Sequence, residues 1–206
     1  MSHLLALNRQ RIDFFMQKYQ DLYSQVIIYA SNYMLIKLNP RKNHDVHEAV
    51  VENDLLEITI NNLTENIRYA SPRLLKVYER YVSYDYASDG IGNNKESEKH
   101  ALIYFLIDDI LRASKWTRVY SRNDRRELKK FRYYFGLYAS ALNYFENEYV
   151  ETIIQMENWI SVKVKYKKFE DVLLSRDINK MRIIVSSHLN KGKKHKMFST
   201  LLEKIE

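Results

Sequence analysis

The 206-residue chain contains no cysteine, only four glycines and only two prolines. Without cysteine there is no disulfide, no thiolate metal ligand and no thiol nucleophile. Average usage would supply roughly 14 glycines and 10 prolines at this length. So few chain breakers argue against a sandwich or barrel, which needs a turn about every 8–12 residues. They also leave no glycine-rich phosphate loop, neither Walker A nor GxGxxG. Long apolar runs are missing too: "VIIYA" and "ALIYFLI" fall far short of the ~20 residues of a membrane span. The N-terminal "MSHLLALNRQRIDFF" lacks the basic and apolar regions of a signal peptide. The expectation is a cytoplasmic protein with no membrane partner.

Seventeen tyrosines, eight phenylalanines and an excess of positive charge fill the composition instead. The net charge of the whole chain is +7, and the 23 residues from Arg112 to Tyr134 carry nine Lys/Arg against Asp124 and Glu127, also +7. The remainder sums to zero. A charge excess concentrated in the C-terminal half points to a polyanionic partner.

Apolar spacing predicts an all-α protein, a bundle of about 6–8 helices with roughly the residue stretches that follow. Ile12, Phe15, Tyr19, Leu22, Val26 and Ala30 define one helical face running on to Pro40, with a strand over "VIIYASNYMLIKL" as the alternative. Asp45 is expected to cap a helix reaching to about Ile67. Ser71 followed by Pro72 joins an N-cap to an N1 proline, a strong helix start. "SDGIGNNKESEK" (88–99) reads as a loop between an N-terminal lobe (1–87) and a basic C-terminal lobe (100–206), with Ser97 as a cap; a single compact domain is the alternative. Ser121 or Asn123 starts the next helix. Leu128, Phe131, Phe135, Tyr138, Leu142, Phe145 and Tyr149 then recur every three or four residues, which predicts one long central helix over about 122–158. Its aromatic seam suits a bundle centre or an interface between copies, so a homo-oligomer is expected. "WISVKVKYKKFE" alternates apolar and lysine, predicting a short extended segment near 160–166. Gly192 is placed to stop the last long helix.

On that central helix the cations form an arc opposite the seam, with Tyr133 inside it. Ordinary exposed helices mix Glu with Lys at i,i+4; here like charges face each other at 122/126, 125/129 and 126/130. Cations near a helix N-terminus also oppose its dipole. A segment carrying both penalties is expected to use its charge, and arginines outnumber lysines six to three, which suits bidentate phosphate contact. The nucleic-acid-binding candidates are Arg122, Arg125, Arg126, Lys129 and Lys130, with Arg112, Lys115, Arg118 and Arg132 in support. Double-stranded DNA is the first partner, RNA the second, and transcriptional control the expected role. The lysines at 163, 165, 167, 168, 191, 193, 194 and 196 form a second basic set.

Other readings carry less. No catalytic array, cofactor motif or metal motif is identified; His44, Asp45, His47 and Glu48 cluster, but no third ligand at metal spacing can be named. Arg41…His47 and Arg182…His188 resemble the R-x4–6-H signature of HEPN ribonucleases. That resemblance, confined to those residues, implies an all-helical enzyme in which Arg and His act on an RNA 2′-hydroxyl. A non-catalytic helical adaptor gripping an acidic protein is the remaining alternative.

Overall fold

The computed structural model describes residues 2–47, 49–86, 94–117, 119–160, 169–192 and 196–205. Among the described residues the chain is helical, with no strand. The helices are α1 (Ser2–Lys18), α2 (Ser24–Leu38), α3 (Lys42–Asp45), α4 (Glu52–Glu65), α5 (Pro72–Ser83), α6 (Asn94–Thr117), α7 (Arg122–Ala141), α8 (Asn147–Ile160), α9 (Phe169–Ser175), α10 (Ile178–Lys191) and α11 (Lys196–Ile205). The all-α expectation holds.

Two helices each contain a stretch that is buried on every side, as expected of a helix segment inside a core. In α6, residues from Ala101 to Asp108 are all buried; in α7, so is every residue from Tyr133 to Leu142. The two form an antiparallel hairpin: the Ser97 hydroxyl donates to the Ala139 carbonyl at 2.7 Å, and Arg132 reaches Asp108 near the other end. The remaining helices wrap this pair. α5 lies on α6, α9 and α10 lie on α7, α4 and α8 lie on α2, and α11 covers α10. Buried residues from both halves of the chain belong to one contiguous core.

Gly136 sits where α6, α7 and α9 approach most closely. A Cβ there would lie 2.8 Å from Phe169 Cγ and 3.0 Å from Tyr104 Cδ2. Its value is the missing side chain, not backbone freedom.

The first expected helix is present, and the strand alternative for "VIIYASNYMLIKL" is not realised. Between α1 and α2 the backbone makes one π turn, Tyr19–Tyr23, with the Ser24 amide donating to the Tyr19 carbonyl. The extra residue rotates the face so that Leu22 and Tyr23 join Phe15 and Val26 in the core.

Several boundaries differ from expectation. Asp45 does not cap α4; it closes α3 and accepts from Asn39 Nδ2 at 3.1 Å, while Val51 precedes α4. Residues 94–99 are the first turns of α6 and not loop, because Asn94, Ser97, Glu98 and Lys99 are buried by partners elsewhere in the fold. Ser97 is therefore inside a helix and bonded across to α7, not a cap. Ser71 and Ser121 do cap: Ser71 Oγ accepts from the Leu74 amide at 3.3 Å, and Ser121 forms a reciprocal capping box with Asp124. Gly192 follows α10 as its cap.

The long helix over 122–158 is two helices, α7 and α8, with a turn between them. Asn143 ends α7 by donating from Nδ2 to the Ala139 carbonyl at 2.9 Å, a side-chain bond that competes with helical continuation. The Tyr144 hydroxyl donates to the Ile178 carbonyl, pinning the turn to α10. The heptad seam is spent inside the chain: Leu128, Phe131, Phe135, Tyr138, Leu142 and Phe145 are all buried there, and only Tyr149 emerges. The seam is thus not a free surface for a second copy. The extended segment expected near 160–166 falls, beyond Ile160, outside the described residues.

Candidate functional site

The basic segment spans the end of α6 and the first half of α7, and the hairpin fixes both. α7 changes character along its length. From Arg122 to Lys130 only Leu128 is buried; beyond it the helix disappears into the core. The first half of α7 is therefore an exposed surface spur about 12 Å long, anchored at Leu128. Its free amides are answered by the Ser121–Asp124 box, which turns the Asp124 carboxylate toward the backbone, where the Ser121 amide donates at 2.9 Å. Those hydrogen bonds from Ser121 lower the Asp124 pKa and keep the group ionised.

The nine sequence candidates separate into distinct groups. Arg122 and Arg126 are exposed on the spur; Lys129 and Lys115 are exposed beside it, and Arg125 is half-buried. None of these five pairs with a carboxylate among the described residues. At 100° per residue, Arg122, Arg125, Arg126 and Lys129 share about 100° of arc. Lys130 leans over the Tyr134 ring, 5.9 Å from its centroid. Arg118 lies outside the described residues.

Arg112 and Arg132 are committed elsewhere. Both bind Asp108, a carboxylate only 3% exposed: Arg112 Nε donates to it at 2.6 Å, and Arg132 reaches its other oxygen. Arg73 of α5 donates to Asp108 at 3.1 Å and to Asp109 at 3.0 Å. Glu170 of α9 takes both terminal contacts of Arg112, at 2.8 and 2.7 Å, and a further one from Arg73. Three arginines and three carboxylates thus neutralise one another and tie α5, α6, α7 and α9 together. Burial alone would raise the Asp108 pKa; the Arg112 hydrogen bond and the charges of Arg132, Arg112 and Arg73 outweigh it and hold the group below its usual range. Asp109 is displaced the other way, chiefly by burial. The sequence placed Arg132 on the outer arc and Arg112 on the helix leading into it, because the contacts of Asp108, Asp109 and Glu170 are invisible on a one-helix projection.

Tyr133, expected among the cations, is buried. Its hydroxyl is 3.1 Å from His188 Nδ1, and its ring meets Phe169 edge-on. α9 and α10 cover that side of α7.

A cleft of about 750 Å³ opens between α6, α7 and α9. The Asp108–Arg132–Arg112–Glu170 network lines it, and Lys115, Arg125 and Lys129 line it too without ion partners. Tyr104 and Leu111 contribute apolar wall.

The two Arg-x5-His pairs sit in different surroundings. Arg41 and His47 are exposed, and Arg41 lies 3.6 Å from Asp45. His188 is buried, and burial drives its pKa down to about 3, with Lys191 adding to the shift. Among the described residues no cluster of His, Asp or Glu is arranged to hold a metal ion, and no helix is long and apolar enough to cross a membrane.

Comparison with protein-family models, curated proteins and solved structures gives no match to this chain.

Proposed function

We propose that the protein binds double-stranded DNA through the spur of α7, in a regulatory role. The observation that supports this most is the set of four cations on the exposed start of α7, Arg122, Arg125, Arg126 and Lys129, with Lys115 near the end of α6, none of them paired with a carboxylate among the described residues. Like charges at 122/126 and 125/129 each cost a few tenths of a kcal/mol in the free protein. A phosphate backbone removes that repulsion, and the released counterions supply affinity. An exposed helix also fits the dimensions of a major groove.

Duplex is favoured over single strands by the aromatic side chains. Unpaired bases need exposed rings to stack on, and Tyr133 and Tyr134, the tyrosines on the spur's own helix nearest its cations, are 6% and 4% exposed.

Five phosphate contacts predict that log K falls with log salt at a slope near about −4.5. A gel-shift titration of a labelled duplex reads that slope. Absence of binding at about 50 mM salt, where such contacts are strongest, would reject the proposal and leave a protein partner as the use of the charge.

A further inference from the structure

The cleft between α6, α7 and α9 is lined by three cations, Lys115, Arg125 and Lys129, with no carboxylate partner among the described residues. Five cationic side chains face the cleft against three carboxylates, Asp108, Glu170 and Asp171. Two of those three are already neutralised, Asp108 by Arg112, Arg132 and Arg73, and Glu170 by Arg112 and Arg73. The surplus charge therefore calls for an acceptor-rich anion.

We infer that this cleft binds the phosphates of a small ligand carrying a di- or polyphosphate, held by Lys115, Arg125 and Lys129 above the Arg132–Asp108 pair. The volume, about 750 Å³, suits a nucleotide-sized molecule better than a single phosphate ion. Tyr104 and Leu111 supply apolar wall for its organic part, and the exposed Asp171 supplies an acceptor for hydroxyl or amino groups. Arg125 and Lys129 also belong to the stripe assigned above to DNA, so ligand and duplex compete for them. That regulatory consequence rests on the DNA reading; occupancy of the cleft does not.

Titration calorimetry of the full chain at low salt, with inorganic pyrophosphate and with ADP, tests the cleft, and adenosine serves as the uncharged control. Saturable binding of either phosphate compound is expected. It should weaken at least about tenfold in Arg125→Gln/Lys129→Gln and in Lys115→Gln, and stay within about twofold in Arg122→Gln/Arg126→Gln, which alters the spur outside the cleft. Circular dichroism melts confirm that each variant folds. No saturable binding, or equal losses in the cleft and spur variants, overturns the inference. If binding is as expected, pyrophosphate should displace duplex more strongly than sodium chloride of equal ionic strength. Cleft binding without any DNA affinity would reject the DNA reading and keep the ligand site.

Discussion

The His100 ring stacks on the Tyr138 ring with centroids 4.2 Å apart and planes within 2°. The pair joins α6 to α7 at the centre of the molecule. His100 Nδ1 is 2.7 Å from the Glu96 carbonyl, which can only accept, so Nδ1 carries the proton. Nε2 then accepts from the Tyr33 hydroxyl at 2.9 Å. A buried, neutral, fully bonded imidazole results. Tyr33→Phe leaves Nε2 without its donor and should lower stability by about 1–3 kcal/mol. Urea unfolding measures the difference, and an unchanged midpoint would contradict the assigned bonding.

Stability should fall between pH 7 and pH 4. Burial lowers His100 and His188 from the ordinary 6.5 to about 3. The unfolded chain then binds protons that the folded chain refuses. The stabilisation is complete above about pH 6.5 and shrinks as pH falls toward 3, by on the order of 2 kcal/mol per histidine at pH 5. Asp108, held low by its arginines, loses its contribution on further acidification. Glu98 and Asp109, raised by burial, offset part of the loss because they bind protons earlier in the folded state. Thermal melts across this range should show the midpoint dropping before the carboxylates titrate, and should weaken in slope in a His188→Gln variant.

Asp108 is the shared acceptor of three arginines, whereas Arg112 is half in solvent, with 51% of its side chain exposed. Asp108→Ala removes the charge that justifies burying Arg132, and should cost about 3–5 kcal/mol. Arg112→Gln leaves Asp108 with Arg132 and Arg73 and should cost about 1 kcal/mol or less. Denaturant midpoints of the two variants give the ranking.

Alanine normally favours a helix over glycine by about 1 kcal/mol. At Gly136 the added methyl meets Phe169 at 2.8 Å, so Gly136→Ala should instead destabilise by about 1–3 kcal/mol. Gly192→Ala is more disruptive locally: the Cβ would fall 1.8 Å from Phe198 Cδ2 and must displace α11. Because α11 rests chiefly on α10, its release should show in hydrogen exchange before it shows in the global melt.

Charge reversal at Arg126 should weaken duplex binding more than reversal at Arg112. Arg126 is exposed and unpaired, while Arg112 is already neutralised by Asp108 and Glu170. Gel-shift affinities at equal salt compare them. Equal losses would mean that the ion network opens on binding.

The sequence by itself determined the helical class of most of the chain, because breakers are scarce and apolar residues recur at steps of three and four, while "VIIYASNYMLIKL" and "WISVKVKYKKFE" also allowed extended structure. It determined the start at Ser71–Pro72 and narrowed the start of α7 to Ser121 or Asn123, since capping is local chemistry between residues three apart. It also located the charge excess. What it did not determine was which cations remain available. Arg112 and Arg132 look like available cations until the fold brings Asp108 and Glu170 against them, with Arg73 sharing both carboxylates. Nor did the heptad of aromatics show where its helix would end. At the break after Ala141, Asn143 bonds back to Ala139 locally, but it also reaches Ser97 of α6, and the Tyr144 hydroxyl bonds the Ile178 carbonyl of α10. Helical periodicity is written in neighbours along the sequence; charge pairing and helix termination inside a core depend on neighbours in space, and only the tertiary structure supplies those.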